Sequence, residues 1–239
     1  MQKRAIIIGA SSGIGKALAE VLSADGYALG LTGRRVPLLQ EIQNNLGGDI
    51  TIQEMDVSEQ LTAQEQFNKL AGEMGSIDLV IINAGTGYIN PDLSYDPEQE
   101  TIDTNISGFT AIATASYQLF KKQGTGHIVG ISSIASFRGS SFAPAYSASK
   151  AYVSNYMEGL RLKAFKDKFD LQVTDILPGF VDTPMAKGDG LFWVASPEKA
   201  ARQIAGAIKN GKKRAYITKR WRLIAWIMKV LPEALLKRV

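Results

Sequence analysis

Twice in this sequence a phenol and an ammonium stand four residues apart: Tyr146 with Lys150, and Tyr117 with Lys121. With 8 Tyr and 17 Lys among 239 residues, chance alone supplies about half such a match, so the spacing selects nothing by itself. Each pair even has a hydroxyl thirteen residues upstream, Ser133 for the first and Thr104 for the second. Positions i and i+4 share a helix face, so either pair would set the ammonium beside the phenol. That arrangement suits hydride chemistry at a carbonyl, where negative charge develops on oxygen. A free phenol titrates near ~10, and a neighbouring cation is needed to lower it toward neutrality. A serine hydroxyl can donate to the oxygen that gains charge. The single histidine, His127, and the absence of cysteine argue against a histidine triad, a zinc cluster, thiolate ligands and disulfides.

The elements that must position these residues alternate along the chain. Strand-like apolar runs fall near Ala5–Gly9, Tyr27–Thr32, Ile50–Met55, Asp78–Asn83, His127–Ser132, Gln172–Leu177 and Arg214–Thr218. Helical periodicity predicts about Ile14–Ala24, Val36–Asn45, Glu59–Glu73, Pro97–Lys122, Pro144–Lys168, Pro197–Lys209 and Lys219–Arg238. This alternation is that of βαβ units: one α/β domain of Rossmann type, a doubly wound sheet of seven parallel strands with helices on both faces. A composition of 45% apolar and 21% charged residues suits a single large core. Such sheets bind ligands at the carboxyl ends of their strands, where the strand order reverses. Tyr117 falls late on a helix returning to the opposite edge. Tyr146 falls early on the helix leaving strand five, and Ser133 ends that strand, so the chemistry belongs to Ser133, Tyr146 and Lys150.

Directly after strand one comes Gly9-Ala10-Ser11-Ser12-Gly13-Ile14-Gly15, leading into a helix. Glycines permit the tight turn, and the helix N-terminus offers unpaired N–H groups to a pyrophosphate. With Asn83-Ala84-Gly85, Asn105, Ser133, Tyr146-x-x-x-Lys150 and Pro178-Gly179, the chain resembles the short-chain dehydrogenase/reductase family to about residue 218. Ile8 departs from the pattern, since many members carry Thr there. The resemblance implies catalytic roles for Asn105, Ser133, Tyr146 and Lys150, with Asn105 anchoring a water that links Lys150 to solvent. It implies cofactor contacts from Gly9, Ser11, Ser12, Gly13, Ile14 and Gly15, from Asp56 on the adenine with Val57 beside it, and from Asn83, Ala84 and Gly85. Tyr146 and Lys150 reach the nicotinamide ribose, and Pro178, Gly179, Val181 and Thr183 lie near the carboxamide. No metal is implied.

Strand two ends in Leu31-Thr32-Gly33-Arg34-Arg35, with no acid to accept from a ribose 2′-hydroxyl. A guanidinium there can pair with a 2′-phosphate. The cofactor expected is therefore NADP(H), with Arg34 and the hydroxyl of Ser11 or Ser12 around the phosphate; the alternative makes Arg34 and Arg35 solvated loop charges. Met185–Trp193 reads as a mobile substrate lid with Phe192 and Trp193 as its apolar material, and Phe137 and Phe142 as pocket or core aromatics. Arg138 reads as a solvated charge.

Charge is concentrated at one end. From Lys209 onward ten basic residues face one acid, whereas residues 1–208 carry 17 bases against 22 acids. A uniformly basic nucleic-acid binder looks different. The sequence divides at residue 218 into a dinucleotide-binding and catalytic body and, over 219–239, a basic amphipathic helix. That helix either docks on protein or lies in an anionic membrane surface. No apolar run reaches the ~18 residues of a spanning helix, and the run Ala5–Ile8 stops too soon for a signal peptide. The expectation is a cytoplasmic homodimer or homotetramer acting on an apolar carbonyl compound or alcohol, with the tail as a candidate peripheral membrane contact. Two rivals are a nucleotide-sensing protein without turnover, and a membrane-surface protein acting through its tail.

Overall fold

The computed structural model describes residues 2–185 and 191–232. Seven parallel strands form one sheet in the order β3-β2-β1-β4-β5-β6-β7, with β1 at Arg4–Ile8, β2 at Ala28–Gly33, β3 at Ile50–Glu54, β4 at Leu79–Ile82, β5 at Thr125–Ile131, β6 at Asp170–Pro178 and β7 at Arg214–Ile217. The fold is therefore the doubly wound α/β sheet expected, and its order reverses between β1 and β4.

Helices cover both faces, so the central strands are apolar without interruption. Alternate residues serve opposite layers. Ile7, Leu29, Leu31 and Ile81 pack under α1 (Gly13–Ala24), α2 (Val36–Leu46) and α7 (Pro197–Lys209). Ile6, Ile8, Val80 and Ile82 pack under α3 (Gln60–Met74), α5 (Phe109–Gln123) and α6 (Pro144–Asp167).

The helix expected over 97–122 is three pieces: α4 at Tyr95–Ile102, a π-helical turn at Asp103–Gly108, and α5. A Cβ on Gly108 would lie 2.5 Å from the Val57 carbonyl oxygen, so the helix can approach the end of β3 this closely only through glycine. The wider turn rotates Asn105 into the interior, where it is 1% exposed.

Toward the other end of the chain, α8 spans Trp221–Val230, within the helix expected over 219–238. Leu231 is extended (ψ 124°), the conformation favoured before a proline, and it closes α8 ahead of Pro232. Residues 233–239 lie outside the described region. Among the described residues no helix is long and apolar enough to cross a membrane. Trp221 anchors α8: it is 1% exposed, and its ring lies so close to Gly179 that a Cβ there would come within 2.1 Å of the indole. Phe180 meets the indole edge-on at 5.3 Å between centroids, and Phe192 lies at 5.1 Å.

Trp221→Ala should remove about 3–5 kcal/mol of stability, measured by urea unfolding. Trp226→Ala, at a side chain 63% exposed on the same helix, should change it by less than about 0.5 kcal/mol.

Candidate active site

The turn after β1 is pressed between its neighbours by main-chain bonds. Gly9 and Ala10 donate to the Thr32 carbonyl at 3.0 and 2.8 Å, and Asn83 and Ala84 donate to the Ile8 carbonyl at 3.0 and 2.8 Å. The Ile8 side chain lies in the core, so its main-chain oxygen alone serves this junction. Asn83 Nδ2 donates to the Gly9 oxygen at 2.7 Å. Glycine is required twice over: Gly9 has φ +84°, and a Cβ on Gly15 would lie 2.1 Å from the Gly9 oxygen. Ser12 precedes α1 but does not cap it with its side chain. Instead its hydroxyl accepts from Arg35, so the first-turn N–H groups of α1 have no side-chain cap.

Arg35, rather than Arg34, comes to the two serines. Its Nη2 donates to Ser11 Oγ at 2.8 Å and to Ser12 Oγ at 2.7 Å, and its Nε donates to Ser11 at 3.2 Å. Arg34 turns to Asp56 in a loose, exposed pair at 3.7 Å. Asp56 also accepts from the Ser58 main-chain N–H (3.0 Å) and hydroxyl (2.7 Å), an Asx-type turn. Val57 is buried, its carbonyl facing Gly108.

At the end of β5, Ser133 Oγ accepts from Ala135 N at 3.1 Å and donates a long bond of 3.5 Å to the Pro178 carbonyl, tying the ends of β5 and β6 together. Tyr146 stands on the first turn of α6, and its ring lies against the main chain of Gly87, where a Cβ would come within 2.5 Å. The first turn of α6 is held by a residue the sequence reading did not single out. Glu98 on α4 accepts from Ala145 N at 2.8 Å, placing a carboxylate at the positive end of the helix. Lys150, one turn on, is 5% exposed; its ammonium donates to the Ile131 carbonyl at 3.1 Å and lies 5.7 Å from the Tyr146 ring centre. Asn105 accepts from Thr86 N at 2.8 Å and donates to Thr86 O at 2.7 Å and Ser149 Oγ at 3.0 Å, joining the loop after β4 to α6. A Cβ on Gly85 would be 3.2 Å from both Asn105 Oδ1 and Lys150 Nζ, so those two groups close over the same glycine.

Burial dominates the electrostatics. It brings the Lys150 ammonium down to about 8 and pushes the Tyr146 phenol up, the Ser133 hydroxyl opposing the latter. The expected lowering of the phenol by Lys150 does not appear: desolvation sets the direction, and only Ser133 opposes it. Tyr117, by contrast, donates to Asp167 at 3.0 Å beside Lys121 and is pushed up to about 12 by burial and that carboxylate. It lies toward the amino edge of the sheet, away from this cluster. His127 is buried on Thr174 at 2.8 Å and pushed down to about 4, a neutral core group.

The stretch after β6 returns to the first turn. Gly179 N donates to Ile217 O at 2.6 Å, Val181 is buried, and Thr183 Cγ2 would lie 3.1 Å from a Cβ on Gly13. Of the expected lid, residues 186–190 lie outside the described region. Phe192 and Trp193 are half-exposed at its end, beside Trp221. Phe137 stacks on Tyr216 at 6.2 Å, while Phe142 is exposed. Arg138 is not a solvated charge. It donates to the carbonyls of Met228, Lys229 and Leu231 at 2.6, 3.1 and 2.6 Å, capping the end of α8. Among the described residues no group of His, Cys, Asp and Glu could hold a metal.

A model of the short chain dehydrogenase family matches residues 3–190. An uncharacterized oxidoreductase of Myxococcus xanthus is 37% identical over 188 residues, 77% of this chain and 74% of its own. An uncharacterized oxidoreductase of Mycobacterium tuberculosis is 30% identical along 99% of this chain and 97% of its own. Among solved structures, an alcohol dehydrogenase from Thermococcus sibiricus complexed with 5-hydroxy-NADP superimposes with a TM-score of 0.80 at 27% identity, over 90% of this chain and 96% of that one.

The buried ammonium makes stability depend on pH. Lys150 titrates at about 8 when folded and near its ordinary 10.5 when unfolded. Between about pH 8 and 10 the unfolded chain therefore binds more protons, and stability rises with pH across that window. The difference in urea midpoint between the wild type and Lys150→Met should change in that direction. A difference independent of pH means the ammonium is hydrated.

Proposed function

The chain belongs to the short-chain dehydrogenase/reductase family and is an oxidoreductase by that membership, and from this premise we propose that it transfers a hydride between NADP(H) and an apolar carbonyl compound or secondary alcohol. The observation that carries the proposal is the convergence of Ser133, Tyr146 and Lys150 with Asn105 at the carboxyl edge of the sheet. The rival reading, a nucleotide sensor without turnover, expects a broken set, and all four residues are present.

The glycine turn fits a dinucleotide. A Cβ at Gly9 or Gly15 would collide with the Ala84 main chain or the Gly9 oxygen, so only glycine lets the turn close this tightly, and the first-turn N–H groups of α1 are left to face an incoming pyrophosphate. In this reading Ser11, Ser12, Gly13 and Ile14 complete the pyrophosphate side. Asp56 and Val57 border the adenine, and Asn83, Ala84 and Gly85 border the ribose. Pro178, Gly179, Val181 and Thr183 border the carboxamide. The phosphate of NADP(H) falls to Arg35 with Ser11 and Ser12, Arg34 adding charge from the other side; the Thermococcus sibiricus enzyme was solved with an NADP derivative.

When bound, the reduced nicotinamide supplies the hydride to the carbonyl carbon. As the π pair moves onto oxygen, the Tyr146 hydroxyl gives up its proton to that oxygen. Ser133 donates a hydrogen bond to the same atom. The Lys150 ammonium, charged below pH 8, steadies the phenolate that remains, and it holds the ribose hydroxyls. Asn105 secures the two segments flanking Lys150 and anchors the water through which a proton returns from solvent.

The body over 1–218 carries the chemistry, and 219–239 adds the basic segment that contains α8. The enzyme works as a homodimer or homotetramer: Leu162 and Phe165 stand exposed on α6, beside a groove of about 430 Å³ between α5 and α6.

Tyr146→Phe should lower kcat by about 10²–10⁴-fold while NADPH titration by fluorescence gives a Kd within about threefold of wild type. Turnover at the wild-type rate overturns the assignment. Arg35→Asp should weaken NADPH by about 10–150-fold and leave NADH nearly unchanged, with a smaller effect for Arg34→Asp. An NADPH-over-NADH preference unchanged from wild type in both variants means another group reads the phosphate.

A further inference from the structure

Helix α8 has two apolar faces, and only one is used. Trp221 and Ala225 are buried against the body, and Arg138 clamps the C-terminal carbonyls, so the docking of α8 is complete without its other side. On that other side Leu223, Trp226, Ile227 and Val230 are exposed by 59, 63, 39 and 60%. Their spacing is i, i+3, i+4 and i+7, one continuous stripe along a helix. Lys219 and Arg222 stand exposed at the start of the stripe, whereas Lys229 turns its ammonium over the Phe137 ring on the body, 4.8 Å from the ring centre. No Asp or Glu occurs anywhere from residue 199 to 232.

We propose that this stripe docks α8 on an anionic lipid surface. A tryptophan at the centre of an apolar stripe that begins with the cations Lys219 and Arg222 matches what the interface of a bilayer accepts. A second copy of the chain fits worse. Two-fold pairing through α8 would bring Lys219 and Arg222 of both copies into one interface, where residues 199–232 supply no acid to compensate.

The surface is continuous with the cleft. Arg220 donates to the Trp193 carbonyl at 2.8 Å and lies 5.0 Å over its ring, and Phe192 and Trp193 pack on Trp221 beneath Gly179. Docking through α8 therefore sets the lip formed by Phe192 and Trp193 at the lipid boundary. An apolar carbonyl compound or alcohol dissolved in the bilayer then reaches Tyr146 without crossing water. This last step rests on the oxidoreductase reading; the docking itself does not.

Flotation of the full chain with vesicles of phosphatidylcholine alone, and with phosphatidylserine at 30 mol%, tests the docking. The bound fraction should be at least about tenfold greater on the anionic vesicles in 50 mM NaCl and should fall in 500 mM NaCl. The double variant Lys219→Glu/Arg222→Glu should lose at least about tenfold, and Trp226→Ser should lose comparably, both retaining NADPH binding. Brominated lipid should quench the tryptophan fluorescence of the wild type, and less so in Trp226→Phe. Wild-type protein that stays unbound on anionic vesicles at low salt overturns the proposal. So does a native mass that halves in Trp226→Ser, since a second copy then covers the stripe. Vesicle binding is read without turnover, so its loss and an absence of oxidoreductase activity are separate results.

Discussion

A charged ammonium held out of water is the constraint around which the site is built. Lys150 meets one protein carbonyl, that of Ile131, and the cost of its burial shows in its fall to about 8. Supporting it takes structure from several parts of the chain: the end of β5 for the carbonyl, α6 for the side chain, and Asn105 with Gly85 to close the space from the side of β4. An ammonium so poorly hydrated has little to lose and much to gain from a nearby negative charge. That makes it suited to a phenolate or a ribose hydroxyl, and it explains why Lys150 is conspicuous beside the other Tyr-x-x-x-Lys pair. Lys121 is half-exposed and already neutralised by Asp167.

The same economy of space governs the phosphate end. The turn after β1 is squeezed between the ends of β2 and β4, and side chains are excluded at Gly9 and Gly15 by the main chain itself. Close approach of backbone is what leaves main-chain N–H groups as the surface of the cradle, while Ser11 and Ser12 are left free to meet Arg35.

The sheet was readable from the sequence because a parallel strand covered on both faces is an unbroken apolar run, as in Ala5 to Ile8. Tyr146 could be told from Tyr117 by topology, since the direction of each helix follows from the alternation of elements. What escaped reading depends on partners distant in sequence. The π turn at Asn105 follows from the contact of Gly108 with Val57, 51 residues earlier, and no local propensity marks it. Arg34 and Arg35 are chemically identical, and the one that meets the serines is chosen by where α2 begins. Glu98 looks like any exposed acid until α4 is seen against the start of α6. Arg138 finds its acceptors about 90 residues further on, at the end of α8.

The guanidinium of Arg138 has an implication for how the two ends of the molecule communicate. It sits five residues beyond Ser133 and grips three carbonyls of the last described helix, while Trp221 at the opposite end of that helix supports Gly179. The terminal helix is thus a crossbar bolted at both ends to opposing jaws of the cleft. A load on that helix is therefore shared between the loop that follows Ser133 and the turn at Gly179.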